Sequence, residues 1–172
     1  MGGVPALVAP AVEVRDSFLS AVREMQQDGR PYYDGLDRDL LARPGQFATY
    51  VEQLAADALP GTPRAPGLVP QTTLWWVEGT QFLGRLSVRH ELTDFLFRIG
   101  GHIGYDVRPV ARRRGHATAM LQSALPVAHG LGIDPALVTC DLTNLASRRV
   151  IEAAGGVPAQ TMGNKLRFWV PT

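Results

Sequence analysis

Val107-Arg108-Pro109-Val110-Ala111-Arg112-Arg113-Arg114-Gly115-His116-Ala117-Thr118 joins a strand end, a basic turn and a helix start. Pro109 stops the apolar strand that reaches Val107. Gly115 opens a helix that continues through Ala119, Met120, Leu121 and Leu125. The first N–H groups of a helix have no carbonyl partner within it, and the helix dipole adds partial positive charge there. Three consecutive arginines surround that end. A turn of this kind suits a pyrophosphate.

Upstream of the turn, Thr72 to Glu78 and Phe82 to Val88 are strand-forming runs around Gly79, which predicts a hairpin. Trp75 and Trp76 then point to opposite faces of one strand, so at most one can line a cleft on either side. Gly100 and Gly101 precede a further strand, His102 to Val107. Downstream, Pro126 predicts a kink or an early end to the helix. Pro135 to Cys140 reads as a buried strand. Asn144 to Ala154 reads as an amphipathic helix stopped by Gly155-Gly156, and Lys165 to Val170 as a last strand. One more short strand fits around Val157 to Met162.

Toward the N-terminus, Leu7 to Pro10 is a short strand closed by its proline. Phe18, Ala21, Val22 and Met25 recur at helical spacing from Val14, and Gly29 ends that helix. Tyr32 to Pro44 reads as a loop. Phe47, Val51, Leu54, Ala55 and Ala58 predict a second helix, and Pro60 to Pro70 is a connection rich in proline and glycine. The order is β-α-α-β-β-β-α-β-α-β, an α+β arrangement with antiparallel strands in the middle and a β-α-β unit after them.

The composition bounds what such a chain does. A length of 172 residues with 45% apolar and 19% charged residues predicts one soluble domain over residues 1–172. A net charge of +1 argues against a general nucleic-acid or membrane binder, so the arginine run is a local feature. Lys165 is the only lysine, a bias that reflects GC-rich coding more readily than function. The single cysteine, Cys140, excludes an internal disulfide and a cysteine-based zinc site. No apolar run approaches the roughly 20 residues needed to span a bilayer. The N-terminus lacks the pattern of a signal peptide, so the expected location is the cytoplasm.

This element order, with Arg112-x-x-Gly115-x-Ala117 opening the helix after the fourth strand, resembles the GNAT superfamily of acyl-CoA-dependent N-acetyltransferases. The second point of resemblance is Asn144 after the fifth strand, opening the helix that ends at Gly155-Gly156. The likeness is clearest over about residues 72–157. It implies a mixed α/β fold whose mostly antiparallel, twisted sheet has six to seven strands and is splayed between strands 4 and 5, with about four flanking helices. It implies acetyl-CoA as co-substrate and no metal. The N–H groups of Arg113, Arg114, Gly115, His116, Ala117 and Thr118 would cradle the pyrophosphate, with Arg112, Arg113 and Arg114 adding charge. The strand backbone at Tyr105, Asp106 and Val107 would lie along the pantetheine arm, with Tyr105 and Val107 pairing to it and Asn144 on the opposite wall. Partners would be the acyl-CoA and an unidentified amine. Nucleic acid and membrane are not expected, and a homodimer is the assembly common among such proteins.

The implied reaction is direct attack of a primary amine, on a small molecule or a protein, at the thioester carbonyl. Here the chain departs from the family. Ile151 stands where many relatives carry an acid tyrosine, and Ile103 and Gly101 stand where many carry Glu or His. The substitutes are His102, reaching the cleft if Gly100-Gly101 bulge, and Tyr105. Glu78, His90, Glu91 and Asp94 could act through water. Tyr32, Tyr33, Asp34, Asp37 and Asp39 form an aromatic and acidic cluster suited to a cationic amine. The alternative left open is a non-catalytic acyl-CoA-binding module. Nucleic-acid binding through Arg112 to Arg114 ranks last.

Overall fold

The computed structural model describes residues 3–172. Its strands are β1 (Ala6–Val8), β2 (Gln71–Glu78), β3 (Gln81–Arg89), β4 (Ile103–Val107), β5 (Ala136–Asp141), β6 (Val157–Pro158) and β7 (Lys165–Val170). They form one sheet in the order β1-β2-β3-β4-β5-β7-β6. Every pairing is antiparallel except β4 with β5. The helices are α1 (Arg15–Gln27), α2 (Pro31–Asp34), α3 (Arg38–Ala42), α4 (Gln46–Ala56), α5 (His116–Gly130) and α6 (Leu145–Ala153). The mixed fold and splayed sheet follow the sequence reading.

Two local expectations are corrected. The stretch from Tyr32 to Pro44, expected to be a loop, carries most of α2 and all of α3, so the described residues hold six α-helices. Pro31 presets the first helical turn of α2. The Asp37 carboxylate caps α3 by accepting from the Leu40 N–H at 2.9 Å. Tyr33 and Leu41 anchor both turns in the core. Pro126 neither ends nor shortens α5, which runs on to Gly130.

Each face of the sheet has its own core. Trp76, Leu86, Val88, Ile103, Val138 and Phe168 pack against Met120, Leu121 and Ala124 of α5 and Ile151 of α6. On the other face, Trp75, Val77 and Phe82 pack against α1 and α4. Phe18 stacks on Trp75 at 4.7 Å and meets Phe82 edge-on at 5.1 Å. Fully burying one such side chain stabilises by about 1.5–3 kcal/mol. The two adjacent tryptophans thus divide between the two cores, as alternation along a strand requires.

The parallel contact is short. β4 and β5 meet in a single bridge, Ile103 with Val138, and β5 otherwise pairs with β7. Just before the bridge, Gly101 has φ +66° and passes so close to β5 that a Cβ would lie 2.6 Å from the Leu137 carbonyl oxygen. The His102 N–H donates to that oxygen at 2.7 Å. The Leu137 N–H in turn donates to His102 Nδ1 at 2.9 Å. His102 therefore pins the closed end of a wedge that opens toward Val107.

That bond requires an unprotonated Nδ1. Burial, with Arg89 nearby, lowers the His102 pKa below its ordinary 6.5. A histidine lowered on folding is neutral in both states above that value. Below it the unfolded chain takes up a proton first, so stability falls. Melting temperature should decline as pH drops below about 6.5. His102→Gln, whose amide oxygen can still accept from Leu137, should reduce the slope. His90 is lowered in the same way and keeps its own share. An unchanged slope in the variant would remove His102 from this account.

Candidate active site

The wedge between β4 and β5 opens into a cavity of about 390 Å³, lined by β4, the turn after it, and the starts of α5 and α6. Gly115 caps α5 with φ +80°, and Arg113, not a glycine, also takes a left-handed φ of +64°. These two inversions curve the turn around the cavity mouth. The Arg112 N–H donates to Pro109 O and the Ala119 N–H to Gly115 O. Among the described residues, the backbone N–H groups from Arg113 to Thr118 between them have no protein partner. A run of outward N–H groups at a helix start is an anion cradle.

Of the residues expected to hold the cofactor, Tyr105, Asp106, Val107, Arg112, Arg113, Gly115, His116, Ala117, Thr118 and Asn144 line this cavity, and Arg114 does not. The three arginines are not equivalent. Arg112 is held by Asp28 at 2.5 and 3.0 Å, and its Nε donates to Val107 O at 3.1 Å. Asp28, gripped by Arg112 and Arg30, is held well below the usual carboxylate range. Arg112 thus ties the end of α1 to the end of β4, with its charge largely neutralised. Arg113 and Arg114 are exposed.

Along β4, the His102 carbonyl accepts from Arg89 and the Arg108 N–H donates to Leu83 O. Even-numbered residues therefore bond to β3, and the backbones of Tyr105 and Val107 face the gap. The Val107 carbonyl is already taken by Arg112. The Tyr105 hydroxyl spans the gap and donates to Ser147 O at 3.4 Å. Burial pushes its pKa up to about 12. Asn144 caps α6 by accepting from the Ser147 N–H at 3.0 Å, which leaves its amide NH2 for the cavity. The Asp106 carboxyl is raised by burial, which outweighs the opposing pull of Arg85, 3.6 Å away.

The remaining candidates fall elsewhere. His102 does not line the cavity, and its basic nitrogen is used by Leu137. Glu78, His90, Glu91 and Asp94 do not line it either, and His90 Nε2 bonds Thr72 Oγ1 at 2.8 Å. In the acidic cluster, Asp37 serves as a cap while Asp34 and Asp39 are exposed. Tyr33 is fully buried, and Tyr32 bonds Tyr50 hydroxyl to hydroxyl at 2.5 Å. No acidic amine-binding cluster results.

The profile of the GNAT acetyltransferase domain matches residues 45–157. This chain belongs to that family and is an acyl-CoA-dependent acetyltransferase. No curated protein sequence matches it. Among solved structures it is similar to Mycobacterium smegmatis RimJ in complex with CoA-disulfide. The identity is 17%, with 99% of this chain and 82% of that one covered and a TM-score of 0.68. It is also similar to RimL, a ribosomal L7/L12 alpha-N-protein acetyltransferase in complex with coenzyme A (13%, 96% and 92%, 0.65). A third likeness is to yncA from Salmonella typhimurium, a putative acetyltransferase with acetyl-CoA (13%, 97% and 92%, 0.61).

Several residues at the site were not singled out from sequence. Arg30 reaches the cavity from the end of α1, and Ala111, Ala146, Ser147 and Val150 complete its walls. On β3, Arg85, Ser87 and Arg89 occupy one face while Leu86 and Val88 enter the core on the other. Their period of two was visible in the sequence as a polar face on a strand that the fold makes central.

Proposed function

We propose that residues 1–172 act as one domain that transfers the acetyl group of acetyl-CoA to a primary amine of a small molecule or protein. The observation carrying this reading is the unpartnered N–H run from Arg113 to Thr118 at the mouth of the wedge. The pyrophosphate docks on that run, with Arg113 beside it and Gly115 admitting close approach. The pantetheine arm enters between Tyr105 and Asn144. Solved relatives crystallised with acetyl-CoA or coenzyme A support the choice of co-substrate.

Only the free amine is nucleophilic. Asp106, the one carboxylate lining the cavity among the described residues, takes the first ammonium proton, directly or through water. The nitrogen attacks the carbonyl carbon, the C–N bond forms and the C–S bond breaks. Tyr105 protonates the departing thiolate and recovers the second nitrogen proton through water. The Tyr105 N–H is the oxyanion donor. His102 is a positioning residue at the closed end of the wedge.

Among the described residues no helix is long and apolar enough to cross a membrane. A cytoplasmic setting belongs to this proposal. So does a homodimer through the edge strand β6, whose Val157 is 59% exposed, to be read by sedimentation equilibrium.

Calorimetry should show acetyl-CoA binding in the micromolar range. Gly115→Ala, forced into a left-handed φ at a cost of about 1–2 kcal/mol, should weaken it about tenfold. Absence of binding at millimolar concentration would end this reading. Binding without thiol release over a broad amine panel would return the chain to a non-catalytic module.

A further inference from the structure

We propose that the acceptor amine carries a carboxylate, which docks on the cationic patch formed by Arg85, Arg89 and Arg167 on the sheet face opposite α5. This rests on the acetyl-transfer reading above and names its substrate class.

The three arginines share a face. Arg85 and Arg89 alternate with Leu86 and Val88, and Arg167 lies between Leu166 and Phe168, all of which pack toward α5 and α6. Arg85 is 7% exposed and Arg167 3%. Taking a guanidinium out of water costs several kcal/mol unless it is paired. Among the described residues, Asp106, on Arg85, is the only carboxylate partner that the three have, at 3.6 Å. Arg89 Nη1 meets only the carbonyls of Gly100 and Gly101, at 3.1 and 3.2 Å. Arg167 donates only to Gln160 O at 3.2 Å and covers the Phe97 ring at 4.3 Å. Arg85 Nε and Arg167 Nε and Nη2 are buried with no partner. Burial and the charge of Arg85 together lower the pKa of Arg89.

Other carboxylates near this face are already engaged. Asp28 holds Arg30 and Arg112, Glu24 holds Arg108, and Asp141 holds Lys165. Among the described residues one carboxylate, Asp106, therefore faces three guanidinium groups, and the patch keeps a surplus of positive charge. Buried cations are normally paired, so a face that keeps guanidinium charge without carboxylate partners points to an anionic ligand.

The position ties that ligand to the reaction. The β4 residue opposite Ser87 of β3 is Gly104, and the Arg89 guanidinium takes the space that a side chain there would fill. The Arg89 guanidinium lies 3.6 Å from where a Cβ would stand there. Thr139 is the register partner of Arg167 on the far side. The next residues, Tyr105 and Asp106, line the cofactor cavity. An acid group on the outer side of the Arg89 guanidinium would thus sit beside the mouth of the wedge, with Asp106 between the two sites. Tyr32, whose ring lies 3.5 Å from the Arg85 guanidinium, covers one side of the patch. The acceptor is then an amino acid or another amino carboxylate, not the cationic amine expected from the acidic loop.

Thiol release with saturating acetyl-CoA should be measured for amino acids, their carboxamides and phosphoethanolamine. Calorimetry with N-acetyl amino acids and their amides reads the patch without acetyl-CoA. The free carboxylates should lead by about 30-fold in kcat/KM and in affinity, the size of one charge-assisted hydrogen bond. Arg89→Gln should erase that ratio mainly through KM, leaving acetyl-CoA affinity unchanged, and Arg89→Lys should keep part of it. Equal handling of acids and amides by the wild type, or a preference for phosphoethanolamine, overturns the proposal whether or not the variants fold. Loss of acetyl-CoA binding alone, with the N-acetyl acid preference intact, would instead count against the parent reading.

Discussion

Arg108→Ala is expected to destabilise the protein by about 3 kcal/mol, the lower end for breaking a buried ion pair. Arg108 sits where β4 gives way to the basic turn, and its side chain is 12% exposed. It grips Glu24 of α1 with two bonds, Nη2 to Oε1 at 2.6 Å and Nε to Oε2 at 2.9 Å. It also reaches Ser17 Oγ at 3.2 Å. The alanine variant leaves Glu24 half-buried without its cation and loosens α1 from the strand that forms the cavity wall. In a chain of this size the loss should appear as a fall of about 6–12 °C in melting temperature. The double variant Arg108→Met with Glu24→Leu should recover most of it, because replacing both partners removes the stranded charge. An alanine variant that melts with the wild type would mean that the pair does not hold α1 to β4.

Tyr105→Phe should lower kcat about 100-fold, the scale of a lost general acid, while the KM for acetyl-CoA changes little. The phenyl ring preserves the packing against the α5-side core and removes only the hydroxyl. Because that hydroxyl is held near 12, it stays protonated through the working range of the enzyme. The substitution should therefore lower the pH–rate profile without moving its limbs. Stopped-flow or steady-state thiol release measures both. A loss under threefold, or one matched by weaker acetyl-CoA binding, would assign Tyr105 to packing.

Much of this was legible in the letters of the chain because it depends on local rules. Gly115 at a helix start, the apolar period of α1 and the hairpin around Gly79 declare themselves within a few residues. Asn144 was readable in the same way, as a cap that opens α6. What escaped was of two kinds. Short helices such as α2 and α3 are stabilised by burial of Tyr33 and Leu41, which no local pattern displays. Pro126 was overruled because tertiary packing of α5 outweighs one missing hydrogen bond.

Charge partners were the larger gap. Arg112 meets Asp28 and Arg108 meets Glu24 across 84 residues of chain, so three arginines in a row did not reveal which of them was already spoken for. The same holds for Asp34, Asp37 and Asp39, whose acidity lies outside the cleft. The run from Val107 to Thr118 by itself determined a strand, a turn and a helix start with bare N–H groups, since backbone geometry there answers to neighbouring residues. Only the tertiary structure decided that Tyr105 spans the wedge, that His102 closes it, and that Arg85, Arg89 and Arg167 share one buried face. Those assignments depend on which distant strands come together and how much water they exclude, and burial sets the energy of a charge more than its identity does.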